Sequence, residues 1–116
     1  MCVLFSCVSE PYDAWGTSEN AFLFSLHNQQ QGLGPFKATV KHPSGVILSQ
    51  SNDGPIFGNP YDIYIADMAN TNSRSYTGFG NFNTNYNVPS GVQNSKTVLA
   101  GTSKFTPDEV EVFYLG

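Results

Sequence analysis

The chain has 116 residues, enough for one domain and no second, and a globule of this length buries roughly 60–70% of the surface its unfolded chain exposes. Charged residues are 12% of it, about half the usual share, and the net charge is −4. The only cations, Lys37, Lys41, Arg74, Lys96 and Lys104, are scattered, which excludes a nucleic-acid face or a basic membrane-binding face, since both need clustered Lys and Arg.

Nine Phe and six Tyr supply bulky core material, while Asn, Ser, Thr, Gly and Gln carry most of the polarity. Few good helix formers and many turn formers predict short strands joined by loops. The apolar run Cys2–Val8 reads as a strand covered on both faces, not as a signal peptide, because no cationic residue precedes it. Residues 9–18, with Pro11, Trp15 and Gly16, read as a loop. Residues 21–26 (Ala-Phe-Leu-Phe-Ser-Leu) form the next strand, apolar on both faces and therefore central in its sheet.

After a surface loop over 27–35, residues 36–41 alternate cleanly, with Phe36, Ala38 and Val40 inward and Lys37, Thr39 and Lys41 outward. Pro43-Ser44-Gly45 predicts a hairpin turn, with Val46–Ser49 returning beside Phe36–Lys41. Asn52-Asp53-Gly54-Pro55 predicts another turn. Asp62–Asp67 predicts a strand with Ile63 and Ile65 inward. Residues 68–96 are polar and loop-like, with short edge pieces at Ser75–Thr77 and Phe82–Tyr86. Thr97–Ala100 and Val110–Leu115 read as the last two strands, with a turn or single helical turn near Pro107 under a Thr106 cap. The expected fold is all-β, an antiparallel two-sheet β-sandwich of about seven strands.

Several of these blocks recur in a known order. An aromatic strand carries Phe22 and Phe24; Gly54-x-x-Phe57-Gly58 precedes Asp62-Ile63-Tyr64-Ile65-Ala66-Asp67; Phe79-Gly80-Asn81 follows a Ser-rich segment. Gly101 then precedes Phe105-x-x-x-Glu109-Val110-Glu111-Val112-Phe113. The ordered set, over about residues 3–115, resembles the TLDc domain family, in the variant of lower eukaryotes and invertebrates. The resemblance covers the C-terminal two-thirds or so of that domain and implies an N-terminally truncated copy. It further implies a non-enzymatic interaction module, with a role in protection against oxidative stress and with a subunit of the vacuolar ATPase as partner. It implies no cofactor, no metal and no catalytic residue.

The residues themselves offer little chemistry. There is no Gly-x-Ser-x-Gly elbow, no zinc-type Cys/His spacing and no phosphate-binding loop. His27 and His42 read as surface residues. Asp62 and Asp67, five apart on a strand, face opposite ways and read as turn-capping carboxylates rather than an acid/base pair; an oxygen-ligand site with Asp53 is the rival reading. Glu109 and Glu111 read as a solvated strand face.

Two further functions stay open. Loop aromatics Trp15, Tyr61, Tyr76 and Tyr86 suit a carbohydrate- or small-ligand-binding sandwich. Cys2 or Cys7 could serve as a redox thiol, although as a pair they lack Cys-x-x-Cys spacing and read more simply as small core residues. The eleven Asn include no Asn-x-Ser/Thr sequon, which favours a cytoplasmic over a secreted protein.

Overall fold

Short runs of β-branched and aromatic residues, punctuated by Gly, Asn and Ser, produce strands of two to five residues in the computed structural model. It describes residues 3–5, 15–48, 53–59, 61–80 and 84–110. Nine strands are present among them: β1 (Val3–Phe5), β2 (Trp15–Thr17), β3 (Phe22–Ser25), β4 (Phe36–Thr39), β5 (Ser44–Leu48), β6 (Asp53–Phe57), β7 (Ile63–Ala66), β8 (Ser75–Thr77) and β9 (Lys104–Phe105). The helical content of the described residues is one 3-10 turn, Ala69–Thr71.

The strands form two antiparallel sheets, ordered β1-β3-β4 and β2-β5-β6-β7-β8-β9. As expected, β3 is central in its sheet, with Leu23 and Ser25 buried. β4 keeps its alternation: Ala38 is buried, while Lys37 and Thr39 are exposed. Both sheets feed one core. Leu23 and Ala38 come from the smaller sheet, Val46, Ile63 and Ile65 from the larger, and Phe79, Tyr86, Val98 and Leu99 from the loops between.

Six expectations need correction. β4 and β5 do not form a hairpin; they lie in different sheets, and Pro43-Ser44-Gly45 carries the chain across the sandwich. The cause is Asn85. Its carbonyl accepts from the Lys41 and His42 N–H groups at 2.7 and 3.2 Å, and its side-chain amide donates to the carbonyls of His42 and Ser44 at 2.7 and 2.6 Å. These bonds occupy the backbone groups that a hairpin ladder would use.

Asp53-Gly54-Pro55 is not a turn but the start of β6, where the register with β7 shifts between Asp53 and Ile56. A bulge accommodates Pro55, which has no N–H for the ladder. Thr97–Ala100 is not a strand. Val98 N–H bonds the Asn94 carbonyl at 3.0 Å and Gly101 N–H bonds the Thr97 carbonyl at 2.8 Å, one turn of helix-like pairing. A strand would send Val98 and Leu99 to opposite faces; this turn buries both.

Ser75–Thr77 is not an edge piece, since β8 lies between β7 and β9. Trp15–Thr17, read as loop, is β2, paired with β5. Thr106 and Pro107 carry no helical turn. Among the described residues β9 is the last strand of the larger sheet, and Asp108–Val110 have no regular structure. Glu111, Phe113 and the rest of the expected closing strand lie outside the described residues, as do Cys2, Cys7, Asn81 and Phe82.

Candidate functional site: an aromatic row on the outer face

Strand register assembles one row of side chains across the whole larger sheet. Trp15 on β2 pairs with Leu48 on β5, Leu48 with Ile56 on β6, Ile56 with Tyr64 on β7, Tyr64 with Tyr76 on β8, and Tyr76 with Lys104 on β9. The neighbouring row, Ile47, Phe57, Ile63 and Thr77, points the other way; Ile63 lies in the core, and the half-buried Ile47 and Phe57 pack against it. The Trp15–Tyr76 row therefore lies on the opposite face, outside the main core cluster, with its middle members Leu48 and Ile56 buried.

Tyr61, in the turn that enters β7, folds over this row. Its ring stacks on Trp15 at 6.3 Å between centroids and on Tyr64 at 5.5 Å, and is tilted against Tyr76 at 5.9 Å. Tyr64 and Tyr76, directly cross-strand, stack at 5.3 Å. All four rings are half-buried, so each keeps an edge or face in solvent.

Asp53 supplies the polar end. The Tyr64 hydroxyl donates a short hydrogen bond to Asp53 Oδ1. That bond, with smaller help from burial and from the Asp53 charge, pushes the Tyr64 phenol up to about 12. Burial, then the neighbouring Tyr61, raises the Tyr76 phenol as well. Both hydroxyls therefore stay protonated at neutral pH. The result is an apolar platform with one fixed hydroxyl, that of Tyr64, and one carboxylate at its margin, suited to planar or ring-shaped groups by stacking.

Of the aromatics named from sequence, Trp15, Tyr61 and Tyr76 come together here. Tyr86 does not: it is fully buried, its hydroxyl donates to the Val46 carbonyl at 3.0 Å, and it bridges to Val40. Tyr64 and Asp53 belong to the platform and were not foreseen in it. The signal for Tyr64 was present, since alternation that sends Ile63 and Ile65 inward sends Tyr64 outward.

The shared motif residues sit mainly in the framework. Phe22 and Phe24 are half-buried on β3, with Lys37 Nζ 4.2 Å from the Phe22 ring centre. Phe57 and Phe105 pack against the core from the ends of β6 and β9. Gly54 lies against β7, where a Cβ would fall 2.8 Å from the Ile65 carbonyl. Gly58, Gly80 and Gly101 all occupy turns. Asp67 and Glu109 are exposed.

Asp62 is fully buried, and its Oδ2 accepts the Asn85 N–H at 3.0 Å while Oδ1 has no hydrogen-bond partner. Burial pushes this carboxyl up to about 7, against the opposing pull of the Asn85 N–H, the Thr84 hydroxyl and Lys41. Asp62 and Asp67 therefore share no site. Among the described residues no three His, Cys, Asp or Glu side chains converge on a metal position, and no helix is long and apolar enough to cross a membrane.

No curated protein and no solved structure matches the chain. A family model for the TLDc domain matches residues 5–116. Matched along nearly its whole length, and folded as two antiparallel sheets around one core, the chain belongs to the TLDc domain family.

Proposed function

We propose that this chain is a non-enzymatic TLDc interaction module that acts by binding another protein, with a subunit of the vacuolar ATPase as the partner and protection against oxidative stress as the setting. The observation that carries the reading is the family match over residues 5–116. The buried polar groups fit it too, for Asp62 and Asn85 are spent on joining loops and the half-buried aromatic row offers a surface for contact. The test is a pull-down of the folded chain against purified ATPase subunits at micromolar concentration. Retention of a subunit supports the proposal, and no retention by a demonstrably folded sample rejects it.

A second reading rests on the platform itself. Trp15, Tyr61, Tyr64 and Tyr76 form a contiguous aromatic layer with a carboxylate beside it, which suits the apolar face and hydroxyl rim of a sugar ring. A glycan array without hits removes this reading.

A further inference from the structure

An open groove of about 380 Å³ runs beside the β7–β8 turn. Its floor is apolar, formed by Pro55, Ile65 and Ala69. Its rim carries three exposed carboxylates, Asp67, Asp108 and Glu109, and two exposed apolar side chains, Met68 and Val110. None of the three carboxylates forms an ion pair or accepts a side-chain hydrogen bond among the described residues.

The turn that presents Met68 is built with care. Met68 is the only non-glycine among the described residues with a positive φ, at φ 50 and ψ 44. That left-handed conformation costs energy for a residue with a Cβ. Convergent donors hold it. The Thr71 N–H and hydroxyl reach the Met68 carbonyl at 2.9 and 2.7 Å, and the Asn72 amide reaches the carbonyls of Met68 and Asp67 at 3.1 and 3.0 Å. Arg74 adds a bond to the Asp67 carbonyl at 3.3 Å. The side chain so fixed is 68% exposed. A glycine would satisfy this backbone at lower cost, so the conformation serves to hold a flexible, adaptable apolar group in solvent beside the groove.

We propose that this groove docks an extended segment of a partner protein in which Lys or Arg flanks an apolar anchor residue. Charge complementarity selects the occupant. The three carboxylates are spread along the rim and do not converge, so they fit separate cations along a peptide and not one divalent ion. Met68 and Val110 cover the anchor, and the apolar floor receives it. The inference adds a partner chemistry to the interaction module read above. It is tested without the pump, so failure of one and failure of the other are separate results.

The experiment measures fluorescence anisotropy of a short labelled peptide in which lysines flank a Leu-Phe pair, titrated with the whole chain. Two controls replace the lysines by glutamates or the Leu-Phe pair by serines. The basic apolar peptide is expected to bind in the micromolar range and more weakly as salt rises, with both controls failing. Met68→Gly relieves the backbone strain, so its unfolding midpoint is expected to hold or rise while binding weakens by about tenfold. Asp108→Asn with Glu109→Gln, on exposed positions that do not support the fold, is expected to weaken binding to a similar extent. Equal binding of either control peptide overturns the proposal, as does parental affinity in either variant.

Discussion

The backbone N–H of Asn85 donates to Asp62 Oδ2 over 3.0 Å, and this bond joins the turn that enters β7 to the segment that holds the crossover between the sheets. Burial holds the Asp62 carboxyl near 7, above its ordinary 3.8. Between those values the folded chain keeps a proton that the unfolded chain has lost. Stability contributed this way is fully present below about pH 4 and is lost as pH rises through about 7. At about 1.4 kcal/mol per pKa unit, the full effect is a few kcal/mol. Asp62→Asn keeps an oxygen for the Asn85 N–H and never ionises. Urea unfolding of this variant is expected to show a flatter pH dependence across that window and greater stability than the parent above pH 7. An unchanged slope would place the titration elsewhere.

Gly58 confines the same carboxylate from the other side. Its φ is 87, and a Cβ there would lie 2.0 Å from Asp62 Oδ2. Gly58→Ala thus combines left-handed strain with a clash against a buried, already bonded group. A loss of roughly 2–4 kcal/mol is expected. A double-mutant cycle separates the two causes. If the clash dominates, adding Asp62→Ala recovers part of the loss; strictly additive effects would assign the cost to the backbone alone.

Asn85 uses both ends of its side chain. Its amide donates to the carbonyls of His42 and Ser44, and its Oδ1 accepts the Asn59 N–H at 2.6 Å. Asn85→Ala strands these groups, and Asn85→Asp also turns a carboxylate toward two carbonyl oxygens. Losses of roughly 2 kcal/mol or more are expected for Ala and larger ones for Asp at neutral pH. Denaturant titration reads both. Equal stability of the Asp variant and the parent would show that the crossover does not depend on the two donated bonds.

Much of the sandwich was legible because it is local. The alternation in Phe36–Lys41 marked its inward side chains, that in Asp62–Asp67 turned Ile63 and Ile65 inward although Ala66 is buried as well, and the two apolar faces of Phe22–Ser25 placed β3 between neighbours. The crossover after β4 was not, because Pro43-Ser44-Gly45 has the chemistry of a hairpin turn, and the residue that diverts the chain, Asn85, is forty positions on. β2 and β9 are too short to alternate, so neither left a trace in the pattern. The platform was half visible. Trp15 and Tyr61 stood out as loop aromatics, but their juxtaposition follows from the pairing of β2 with β5, which sequence does not state. Tyr86 looked the same in sequence and is buried, because Val40 pairs with it inside the core.

Trp15 is the only tryptophan, so its emission reports on the platform alone. Among the described residues, Tyr61 is the ring stacked on it, and Tyr76 reaches it through Tyr61. Tyr61→Ala is expected to shift Trp15 emission to the red and to increase its quenching by acrylamide, because the indole loses its cover. Tyr76→Ala is expected to do the same to a smaller degree. Both rings are half-buried, so each truncation should cost about 1–2 kcal/mol and leave the fold intact. The graded response is the informative part. A sheet face on which these rings merely lie near one another would give no effect from position 76 on the indole, while a continuous layer transmits the loss of one ring through the next. Identical spectra for the parent and both variants would show that Trp15 is not covered by Tyr61 in solution, and the platform would then cease to be a single surface.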